Sequence, residues 1–153
     1  MVWTVLHFGK HRGKTLPQIV LSDPDWFFWA LKADAFKKPS LKEEAKAINY
    51  KARRIKIQPD PSGLEVEYIV HPSVGKLGAV HVVPEDRPPH HGSSPTYRSK
   101  YFDLSMPRQI AQYDKTGGTT LLKAIKTNVF RNVNIRFTRE RCEAFFDDED
   151  NFG

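Results

Sequence analysis

The most chemically suggestive run in this 153-residue chain is FGKHRGKT, residues 8–15. Two glycines, a histidine and three cations in so short a span are the ingredients of a phosphate-binding turn. Nucleotide-binding loops of the form G-x-x-x-x-G-K-[ST] curl successive backbone N–H groups around a phosphate before a helix begins. Here Lys10, His11 and Arg12 alone separate Gly9 from Gly13, so the loop is one residue short, and Phe8 stands where the first glycine belongs. No acidic residue closes a later buried apolar strand, as Mg²⁺ coordination in that class requires. A different chemistry fits better. Glycines that accept φ > 0 make a tight turn, from which Lys10, Arg12 and Lys14 can meet a phosphodiester backbone without a metal or a helix dipole. The alternative is that the glycines only shape a hairpin and the cations face solvent.

Other candidate groups lie further along. Lys46, Lys51, Arg53 and Arg54 make a second basic group on a predicted third helix. Glu65 and Glu67 alternate on a predicted strand, but no lysine follows at nuclease spacing, and they read as solvated-face residues. His90 and His91 are adjacent in a loop, yet Cys142 is the one thiol and no second histidine pair stands at zinc-ligand spacing, so no metal or cofactor is expected. Cys142 reads as a partly buried helix cysteine rather than a nucleophile. Residues 114–118, DKTGG, could present N–H groups to a phosphate or simply break a helix.

Charge is distributed unevenly along the chain. Residues 1–58 hold twelve Lys or Arg against five Asp or Glu, residues 59–137 ten against seven, and residues 138–153 two against six. The basic portion contains the turn and suits an anionic partner, most often nucleic acid; solubility alone is the competing explanation. No apolar stretch approaches bilayer-spanning length, so no membrane partner is expected. The first ten residues do not read as a secretion signal, which leaves the cytoplasm as the expected compartment.

The elements that must position these groups follow from period and punctuation. WTVLHF, residues 3–8, has the bias of a short strand ahead of the basic turn. Leu16, Ile19 and Val20 share a helical face. Asp23 is the expected N-cap of a second helix, with Pro24 at its first position. Trp26, Phe27, Trp29, Ala30 and Leu31 give that helix a bulky apolar face. Trp26 and Trp29 are expected in the core, where Trp29→Ala would cost about 3–5 kcal/mol; an exposed Trp29 would instead point to base stacking. SLKE, residues 40–43, reads as a capping box opening a third helix to about Arg54. Alternation then predicts a hairpin of residues 55–57 with 64–70 about the turn PDPSG, a strand over 77–83, a mobile loop over 84–95, and a short strand over 97–104. A helix starts at Ser105, Gly117-Gly118 interrupts it, and Leu121, Leu122, Ile125 and Val129 continue at helical spacing. A strand over 133–137, a helix capped by Thr138 and a disordered acidic tail complete the prediction. The fold class is α+β: a short strand, basic turn and helices, then a small, mainly antiparallel sheet with helices. It divides into residues 1–58 and 59–153, or forms one compact domain.

The turn and the aromatic helix together resemble the C-terminal domain of exodeoxyribonuclease X and related short bacterial and phage proteins. Phe8, Gly9, Lys10, Arg12 and Gly13 match its F-G-K-x-[KR]-G turn, and Trp26, Trp29 and Leu31 its aromatic helix. The resemblance covers the first 35 to 40 residues. It implies an accessory module that engages nucleic acid beside a catalytic unit and is not itself catalytic. The leading expectation is therefore nucleic-acid binding, DNA or RNA, through Lys10, Arg12, Lys14, Lys46, Lys51, Arg53 and Arg54. An enzyme acting on a phosphorylated or nucleic-acid substrate, and a protein-interaction module, are the alternatives.

Overall fold

A computed structural model describes residues 2–89 and 94–153, so His90 and His91 lie outside the described residues. Six α-helices and two small antiparallel sheets make an α+β fold among these residues. Residues 3–8 form no ladder. Leu6 instead pinches the basic turn, donating from its N–H to Lys14 O at 2.8 Å and accepting from Gly13 N at 2.9 Å. The turn closes because Gly9 and Gly13 take φ of 72° and 88°, a region that disfavours any side chain with a Cβ.

Helix α1 (Leu16–Val20) is short, and Leu16, Ile19 and Val20 are buried. Helix α2 (Pro24–Lys32) starts as expected, with the Asp23 carboxylate accepting from Trp26 N at 3.3 Å and Pro24 in its first turn. Helix α3 (Pro39–Ala52) starts at Pro39, and no side chain caps it. The expected capping box over residues 40–43 does not form: Ser40 Oγ instead accepts from Thr4 Oγ1 at 3.2 Å.

The sheets depart from the expected hairpin. Strand β1 (Ile55–Lys56) pairs with β5 (Tyr101–Phe102), and β2 (Leu64–Val70) sits between β3 (Leu77–Pro84) and β4 (Thr96–Ser99). Alternation identified the strands, but it places a side chain on a face without naming the neighbouring strand. Glu67 also departs from expectation. It is buried opposite His81 and Arg98, and its carboxylate accepts from Arg98 Nε at 2.9 Å. Arg98 in turn donates to Arg87 O at 2.7 Å and Pro88 O at 3.1 Å. A carboxylate on a sheet face can be buried when a guanidinium and a loop cover it.

Helix α4 (Met106–Ile110) is followed by α5 (Lys115–Asn128), which packs on β3. Gly117 and Gly118 do not interrupt a helix; they lie in the first turn of α5. Asp114 Oδ1 accepts from Gly117 N at 2.7 Å and Oδ2 from Leu77 N at 3.1 Å, so one carboxylate joins helix and sheet. Residues 133–137 form no strand, because their backbone bonds are local, as in Ile135 N to Asn132 O at 3.1 Å. Helix α6 (Arg139–Asp147) begins at the expected Thr138 cap.

The acidic tail is ordered rather than disordered. A 3₁₀ turn over Glu149–Asn151 delivers Phe152 into the core, where it stacks on Phe146 and bridges to Ile55. One continuous apolar cluster runs from Trp3 to Phe152. No helix is long and apolar enough to cross a membrane, among the described residues. Phe152→Ala should cost about 3–5 kcal/mol in denaturant unfolding, since it leaves a large cavity. Glu149→Gln, on the solvent side of the same tail, should change stability by less than about 1 kcal/mol.

Candidate nucleic-acid interface

The first turn of α2 organises the surface around it. Asp23, just before Pro24, accepts from three groups: Trp26 N, Lys10 Nζ at 3.0 Å and His11 Nε2 at 3.0 Å. Burial opposes ionisation of Asp23, but these hydrogen bonds outweigh it and hold the carboxyl below its ordinary value. Burial acts on His11 in the opposite sense. It lowers the imidazole pKa despite the Asp23 carboxylate, and Lys14 and Lys10 add to the lowering. A neutral His11 donating from Nε2 to Asp23 fits this balance, with the ring set edge-on to Trp26 at 4.9 Å. His11 Nδ1 is buried with no hydrogen-bond partner among the described residues.

On the other side of Pro24, Asp25 accepts from Arg108 NH1 at 2.8 Å and from Asp114 N at 3.4 Å. That pair fixes α4 and the start of α5 beside α2. Two adjoining clefts result, of about 650 and about 540 Å³, sharing Trp29, Arg108 and Gln112. Five cationic side chains line them, Lys10, Lys32, Arg53, Arg108 and Lys115, against two carboxylates, Asp23 and Asp25. Both carboxylates are buried and hydrogen-bonded, so the open surface is cationic.

Trp29 overturns the expectation that it is core. It is 48% exposed, whereas its neighbours Phe27, Phe28 and Ala30 are buried and carry the packing of α2. Trp29→Ala therefore lacks the cavity that a 3–5 kcal/mol cost requires. Trp26 is half-buried, between His11 and Phe36, with its ring centroid 6.2 Å from that of Trp29. Tyr113, 62% exposed, gives the second cleft another aromatic wall.

The expected binding residues divide among three places. Arg12 and Lys14 are exposed on the turn and make no ion pair among the described residues, while Lys10 is half-exposed and tied to Asp23. Arg53 reaches the cleft, held by Asn49 and Ser105 at 2.9 and 2.8 Å over the Phe28 ring. Lys46, Lys51 and Arg54 are not in the cleft lining. Lys46 pairs with Glu43 at 3.4 Å, and Arg54 stacks on Tyr50 at 4.0 Å. Lys51 is taken up by the tail, donating to Phe146 O and Glu149 at 2.7 Å each. Arg108, Gln112 and Tyr113 carry no signal in the sequence, because nothing local distinguishes them from ordinary surface residues, and Lys115 stands out only as a member of DKTGG.

Other chemistry finds little support. Among the described residues no group of three or more His, Cys, Asp or Glu is placed to hold a metal. Cys142 is buried and burial pushes its thiol up to about 12, which makes it inert as a nucleophile at neutral pH. The N–H groups of residues 117 and 118 are occupied by Asp114, and Gly118 packs against Pro24, so neither glycine N–H is open to a phosphate. No protein-family model, curated protein or solved structure matches the chain.

The depressed His11 pKa gives stability a pH dependence. Below the ordinary value of 6.5 the unfolded chain binds a proton that the native state resists, so stability falls as pH drops from there toward the lowered native value. His11→Gln retains an N–H donor for Asp23 and removes the titration. Its melting temperature should vary less than the wild type's between neutral pH and about pH 5.

Proposed function

We propose that this chain is a non-catalytic nucleic-acid-binding module of the nuclease-accessory kind, working in the cytoplasm and engaging the phosphodiester backbone through its basic turn. One observation carries the reading: Arg12 and Lys14 are exposed and unpaired among the described residues, on the same turn as Lys10, which lines a cleft whose carboxylates are already ion-paired. The glycine-shaped turn fixes where those cations stand, and its F-G-K-x-R-G pattern resembles the accessory domain of exodeoxyribonuclease X. Phosphate contacts of this kind position a strand without reading its bases.

Each cation that neutralises a phosphate releases condensed counterions, so log affinity falls with log salt in proportion to the contacts made. Arg12→Ala/Lys14→Ala should lower that slope by about 1.4–1.8 and weaken binding uniformly across base sequences. Its melting temperature should hardly move, since neither side chain is packed. Fluorescence anisotropy across a salt series, with short single- and double-stranded DNA and RNA, measures this. Absence of binding by the folded wild type at low salt would overturn the proposal. An unchanged slope in the double variant would move the phosphate site off the turn.

A further inference from the structure

The geometry points to an unpaired polynucleotide strand as the occupant of the cleft beside α2, with a base stacked on Trp29 and the adjoining phosphates met by Arg108 and Arg53. This rests on the nucleic-acid reading and adds to it a second site of different character. The turn offers charge alone, whereas the cleft offers charge arranged about an aromatic face.

Trp29 is the reason to separate the two. Trp29 is half-exposed on a helix whose buried residues are Phe27, Phe28 and Ala30, and its ring lies against that of the half-buried Trp26, leaving much of its surface open. It stands where the two clefts meet, beside Arg108, whose NH1 is fixed by Asp25 and whose other N–H groups have no partner among the described residues. Holding a guanidinium in place in advance lowers the ordering cost of meeting a phosphate. Arg53, in the lining of the same larger cleft, is held likewise, by Asn49 and Ser105. The larger cleft thus brings two held cations and an aromatic face into one lining, the groups that the phosphates and bases of a single strand call for.

A duplex fits this surface poorly. Its base faces are stacked on each other and unavailable to Trp29, and its grooves are read by protruding helices or ribbons rather than by a concave surface. Unpaired bases can be splayed onto an aromatic ring whatever their identity.

The test compares wild type, Trp29→Ala and Trp29→Phe, with oligo(dT), oligo(U), an abasic strand of equal length and a blunt duplex. Stacking on Trp29 predicts fluorescence quenching by oligo(dT) or oligo(U) in the wild type that is missing in Trp29→Phe. Trp29→Ala should weaken single-strand binding about tenfold or more, and Trp29→Phe, which keeps an aromatic face, should restore most of it. Affinity for the duplex and for the abasic strand should be the same in all three proteins. Equal single-strand affinity in wild type and Trp29→Ala, or an equal loss for duplex, would overturn the inference while leaving binding through the turn intact. If the wild type binds no nucleic acid at all, both readings fall together.

Discussion

Two buried carboxylates flanking one proline hold this surface together. Asp23 caps the start of α2 and gathers the basic turn through Lys10 and His11; Asp25, two residues on, gathers α4 through Arg108 and the start of α5 through Asp114 N. Pro24 sits between them in the first turn, where it leaves no helical N–H unsatisfied, and packs on Gly118. The partial positive charge of the helix start favours both anions. The carboxylates are the buried members of these pairs, so it is loss of their donors that would leave a desolvated acid without compensation. The functional consequence is electrostatic. Each acid fixes a cation in place and offsets its charge, so of the five cations lining the clefts against two carboxylates a net positive charge of three remains.

Local chemistry was legible in the sequence, and long-range assembly was not. The Asp23 cap, the positive φ of Gly9 and Gly13, the strands over 64–70 and 77–84 and the Thr138 cap all follow from residue type and near neighbours. The outward turn of Trp29 does not. Trp26 to Leu31 is apolar all round, so helical period identifies a helix without choosing its buried side. The cleft was invisible for a related reason: Arg108 meets Asp25 across 83 residues, and no pattern in either segment refers to the other. The acidic tail misled by composition. Four successive acids suggest a solvated end, yet a single phenylalanine two residues later anchors the segment, and the Lys51 ammonium lies 5.4 Å from the centre of its ring. The same lysine, attractive as a basic surface residue, is thereby committed to the fold.

The packing of α1 on α6 also governs how the chain can be made. Thr15 Oγ1 donates to Glu143 at 2.9 Å across 128 residues, and Trp3 Nε1 donates to Asp147 at 3.2 Å. On a ribosome adding about 5–20 residues per second, α1 emerges about 6–26 s before the helix that covers it. During that interval Leu16, Ile19 and Val20, all buried in the native state, have only α2 and α3 to shelter them. The nascent chain therefore carries this apolar face of α1 partly uncovered until α6 has been made.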